Sequence, residues 1–104
     1  IYSVEEAVRV GNEYAKAQYG VTIDTSMTTA DSSYYPGTAD SVARLTEYGG
    51  QAALNAAVCG NVDATFACLA ALDNADVVSA YARFNCTVRY NAAGDEYIVV
   101  VLYG

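Results

Sequence analysis

The chain has 104 residues, 54% of them hydrophobic and 16% charged, with a net charge of −7 and a pI near 4.1. A chain of this length is one domain, residues 1–104, able to bury a core without a metal or a dense disulfide framework, and its composition excludes disorder. The cations Arg9, Lys16, Arg44, Arg83 and Arg89 are scattered, which excludes an electrostatic grip on nucleic acid or an anionic membrane.

Ser3 followed by Glu6 forms a capping box, and Ala7, Val8, Gly11, Tyr14, Ala15 and Gln18 follow one helical face. The spacing predicts a helix over residues 4–18, ended by Gly20 in the left-handed conformation. Glu5 and Arg9 lie four apart in the favourable orientation for an ion pair. Residues 21–27 alternate weakly and predict a short edge strand or an extended segment. Residues 28–38, with the only proline in a Pro36-Gly37 turn signal, predict a loop. In that loop Tyr34 and Tyr35 are adjacent aromatics, one anchoring the loop or contacting a partner.

Asp40 predicts the cap of a second helix through Val42, Leu45 and Tyr48, interrupted at Gly49-Gly50. An alanine-rich helical run over 51–58 is expected to end at Gly60. Asn61 then predicts the cap of a further segment carrying Val62, Phe66, Leu69, Ala70 and Leu72 on its apolar side. No run approaches the roughly 20 apolar residues of a membrane span. From Ala80 the period becomes two, with Phe84, Cys86, Val88 and Tyr90 on one face. A turn at 91–95 returns the strand Tyr97–Tyr103, apolar on both sides. The fold class is α+β: about three helices packed on a small antiparallel sheet that includes this C-terminal hairpin. Helices on both faces would make it a three-layer α-β-α sandwich.

There is no histidine, which removes Ser-His-Asp, Cys-His and His-zinc chemistry. The three cysteines, Cys59, Cys68 and Cys86, include no Cys-x-x-Cys pair. They read as three buried thiols, or as one disulfide and one free thiol. Acids cluster at Glu5-Glu6, Asp73–Asp76 and Asp95-Glu96, at element ends where solvation and capping use them. No catalytic residue, metal ligand or cofactor is assigned. Low lysine content with many Ser, Thr, Gly and Tyr fits an extracellular or cell-surface protein. A start at Ile1 without a basic or apolar leader fits a mature or excised segment.

Three pieces carry a family likeness. They are Gly-Asn-Glu-Tyr-Ala at 11–15 with Tyr19–Asp24, then Tyr48-Gly49-Gly50-Gln51-Ala52 with Asp63–Phe66, and the closing hairpin Tyr81–Gly104. Together they resemble the CAP superfamily of cysteine-rich secretory, antigen 5 and pathogenesis-related proteins, in a shortened, degenerate form. The resemblance implies a secreted domain. The two His and two acidic residues that mark that family's cavity have no carry-over here, since Gly50 stands where the motif has Glu and no His is present.

The reading is therefore a non-enzymatic secreted or cell-surface binding domain. Its expected contacts are Tyr34, Tyr35, Tyr48, Gly49 and Gly50, and its partner an unidentified protein or small molecule. One alternative is a carboxylate-dependent hydrolase acting on polysaccharide, which needs two acids about 5–10 Å apart. Another is a structural unit of a larger surface protein, oligomerising through the last strand.

Overall fold

Ser3 opens the first helix, α1 (Val4–Tyr19), by accepting the Glu6 N–H on its Oγ at 3.0 Å. Gly20, at φ 72°, closes it and donates its N–H to the Lys16 carbonyl. These are the two ends read from the sequence. The computed structural model describes residues 2–28, 34–41, 50–73, 83–93 and 96–104.

The reciprocal half of the capping box is replaced by a tertiary contact. The Ser3 N–H donates to Gln51 Oε1 at 2.7 Å, and Gln51 Nε2 donates back to the Ser3 carbonyl at 3.0 Å. Glu6 is thereby left to Arg9, which also reaches Glu13. The expected Glu5–Arg9 pair yields to these two neighbours on the same exposed stripe.

A second helix, α2, runs unbroken from Gln51 to Asp73. The expected stop at Gly60 is not made. Glycine in a helix interior costs only about 1 kcal/mol against alanine, and Val58 and Val62 on either side are both fully buried. Asn61 is not a cap either: its Nδ2 donates back to the Ala57 carbonyl one turn earlier. Among the described residues there are thus two helices rather than three. Against the expectation that no run approaches a membrane span, α2 is long and apolar enough to cross a bilayer by length and composition. In this molecule one side of it, Leu54, Val58, Val62, Phe66 and Leu69, lies in the core.

Among the described residues four strands form one sheet in the order β1-β3-β4-β2: β1 (Thr22–Ile23), β2 (Tyr34–Ser41), β3 (Arg83–Asn91) and β4 (Glu96–Tyr103). The β3–β4 hairpin forms with the faces expected from the alternation, and its pairing sets Phe84 opposite Tyr103 and Tyr90 opposite Tyr97. The sheet is mixed rather than purely antiparallel, because β1 pairs parallel with β3. The intervening β2 and α2 supply the long connection that parallel neighbours need.

β2 replaces the second half of the expected loop, and Asp40 lies in it rather than capping a helix. Pro36 is accommodated because β2 is an edge strand and its register shifts between Pro36 and Ala39. Proline lacks the N–H of an inner ladder and is tolerated at edges and bulges. β4 is hydrogen-bonded on both sides, to β3 and to β2.

Both helices pack on the sheet face carrying Phe84, Cys86, Tyr97, Val99 and Val101. Ala7, Gly11 and Ala15 let α1 approach closely. A Cβ on Gly11 would lie 2.3 Å from Val58 Cγ1 and 3.1 Å from Cys86 Sγ. On the opposite sheet face Leu102 is buried, while Ile98 and Val100 are half-buried. This answers for one side of the doubly apolar last strand.

Candidate functional site

The outward side of α1 and the start of β1 enclose an open groove of about 490 Å³. Its apolar surface comes from Val4, Val8 and Ile23, all half-buried. Asn12 closes one side. The walls carry four exposed charges whose signs alternate along the helix: Glu5, Arg9, Glu13 and Lys16. At 3.6 residues per turn these four fall within roughly 80° of the helix circumference. The volume lies within the range typical of ligand pockets, about 300–1,000 Å³.

Asn12 holds this wall in place. Its Oδ1 accepts from the Cys86 N–H at 2.8 Å and its Nδ2 donates to Asn85 Oδ1 at 2.9 Å. Asn85 Nδ2 donates in turn to the Met27 carbonyl at 2.8 Å. Both asparagines are buried, and no buried side-chain polar atom lacks a partner among the described residues.

On the far side of α1, Asp63 of α2 accepts hydrogen bonds from two tyrosines. Tyr14 Oη is 2.9 Å from Oδ1, and Tyr19 Oη reaches the same oxygen. The Tyr19 ring stacks on Phe66 with centroids 3.9 Å apart, and Phe66 meets Phe84 at 5.1 Å. Burial, then the Asp63 carboxylate, pushes the Tyr19 phenol up to about 12. The hydrogen bond to Asp63 raises Tyr14 as well.

Asp24, Cys59 and Cys86 are tied into the fold. Asp24 is held below the usual carboxylate range, first by Ser26 and then by Arg83 at 3.3 Å. All three cysteines are free thiols. Burial raises Cys59, and Cys86 is pushed up to about 12 by burial and by Cys59 nearby. Neither carries the thiolate character of a nucleophile. Among the described residues no three His, Cys, Asp or Glu side chains gather as a metal site.

The expected contact residues fall elsewhere. Tyr34 and Tyr35 lie in β2, opposite Leu102 and Val101 of β4, at the sheet edge remote from β1. Tyr48 and Gly49 lie outside the described residues, as do the predicted helix through them and the Asp73–Asp76 acids beyond residue 73. Gly50 adopts φ 62° immediately before α2, with the Tyr2 ring 3.2 Å from where its Cβ would be. The Leu54 N–H donates to its carbonyl, so its role is to start a helix. The groove was missed because Ile23 and Val8 meet only in the folded chain. The available signal was the alternating charge series over residues 5–16.

No family model, curated protein or solved structure matches the chain.

Proposed function

We propose that the chain is a non-enzymatic binding domain, secreted or displayed at the cell surface, whose contact surface is the α1–β1 groove. The observation that carries this reading is the groove itself: the half-buried Val4, Val8 and Ile23 line it beside a wall of four exposed charges. Apolar surface with a few placed polar groups is the usual form of a recognition site. The alternative of a polysaccharide hydrolase has less to draw on, because, of the acids with described side chains, Asp63, Asp24, Glu6 and Glu13 are each engaged by a hydroxyl or a guanidinium, which leaves Glu5 without a second free carboxylate beside it.

The likeness to the CAP superfamily belongs to this reading as an interpretation. It rests on the short sequence pieces at 11–15, 19–24, 48–52, 63–66 and 81–104. The three-layer sandwich is likewise proposed, with the half-buried Ile98 and Val100 as the face a further layer would cover.

The test uses Nile red, a neutral dye that brightens on apolar surface, with dilute protein. Emission should rise with the native chain and fall to the buffer level with Val8→Asp, while the melting temperature changes little. Unchanged dye binding in Val8→Asp overturns the groove as the site. Release of reducing ends from a polysaccharide panel overturns the non-enzymatic half.

A further inference from the structure

We infer that the partner seated on this groove is a second copy of the chain, with two α1 helices packed antiparallel about a two-fold axis. The inference rests on the groove being a contact surface. It starts from the order of the four wall charges. Glu5 and Lys16 share a midpoint with Arg9 and Glu13 to within half a residue, beside Val10 and Gly11. Rotating one α1 by 180° about that point sets Glu5 of each copy opposite Lys16 of the other, and Arg9 opposite Glu13. One patch thus complements itself, which is the requirement of an isologous dimer.

Charge elsewhere argues for the same face. The chain carries −7, so two copies repel over most of their surface. These four wall residues sum to zero and hold two of the five cations. Arg9 already bridges Glu6 and Glu13 within its own chain. Glu5 and Lys16 take part in no ion pair among the described residues. They are the two charges an antiparallel neighbour satisfies. The long alkyl stems of Arg9 and Lys16 then lie across Val4, Val8 and Ile23 of the opposite copy, as such stems do on apolar surface.

The test is sedimentation velocity on the full chain across a concentration series into the millimolar range. The native chain should show a reversible monomer–dimer equilibrium. Lys16→Glu sets a carboxylate against Glu5 and should weaken association by at least about tenfold. The swap Glu5→Lys with Lys16→Glu restores complementarity and should restore the dimer. A second swap, Arg9→Glu with Glu13→Arg, should do the same without touching charges at the helix ends. Thermal melts report whether each variant folds. A chain that stays monomeric throughout, or a dimer indifferent to Lys16→Glu, overturns the proposal. In that event, dye binding lost in Val8→Asp still leaves the groove as a site for another partner, whereas dye binding unchanged in Val8→Asp removes the groove itself.

Discussion

Asn12 on α1 takes the place of a strand beside Cys86. β1 pairs with β3 only at Arg83 and Phe84, and beyond that point the Cys86 N–H finds the Asn12 Oδ1. An exposed strand edge would otherwise offer that N–H to another chain or to water. Here a side chain from a helix ends the ladder, and the same side chain forms part of the groove wall.

Asn12→Ala should therefore destabilise the fold by about 1–3 kcal/mol, the cost of leaving buried polar groups unpaired. Asn85→Ala should cost a similar amount. The double variant should cost clearly less than the two together, because both sit in one network. Chemical denaturation of the four proteins checks this, and simple additivity would mean the two amides act independently.

Gly11 and Gly60 should respond to alanine with opposite signs. A methyl group at Gly11 meets Val58 and Cys86, and overpacking costs about 1–3 kcal/mol. At Gly60 the space is open, so Gly60→Ala should stabilise by about 0.5–1 kcal/mol through helix propensity. For a domain of this size each kcal/mol moves the melting temperature by about 4–8 °C, so thermal melts resolve both.

Stability should fall as pH rises above 10. The Tyr19 phenol keeps its proton to about 12 in the folded chain, whereas in the unfolded chain it loses it near 10. Below both values the folded and unfolded states hold the proton alike, and the contribution is complete. Between them only the unfolded state ionises, so stability is lost with rising pH until the folded phenol also titrates. Tyr19→Phe should lose about 0.5–1.5 kcal/mol at neutral pH with its hydrogen bond. It should also fall less steeply between pH 10 and 12, as measured by urea midpoints at each pH.

Adjacent residues of β4 should differ sharply. Val101 is fully buried against the helices, while Val100 faces the other side and is half-buried. Val101→Asp places an unpaired charge in the core and should abolish cooperative unfolding. Val100→Asp should leave a folded protein with reduced stability. Circular dichroism melts distinguish the two, and equal behaviour would contradict the facing of the strand.

Local signals in the chain are legible where one short segment decides the outcome. Ser3 and Gly20 end α1 through contacts within a few residues, and period-two alternation tells which side chains of β3 and β4 share a face. Where distant parts of the chain decide, the sequence was mute. Gly60 does not stop α2 because burial of its neighbours outweighs a local preference. Pro36 sits in a strand because β2 is at an edge, which only the strand order reveals. The groove joins residues of α1 to Ile23, and its Asn12 wall bonds to a residue 74 positions away. The loop tyrosines drew notice by being adjacent aromatics, a property unrelated to where a concave surface forms.

One carboxylate holding two phenols has a mechanical consequence. Tyr14 and Tyr19 leave α1 at different heights and azimuths, yet both end on Asp63. Spinning or sliding α1 along α2 by even a single residue would break at least one of those bonds. The charged ridge on the opposite side of α1 is thus displayed at a locked angle. A visitor docking there meets a stiff template and spends little of its affinity on immobilising it.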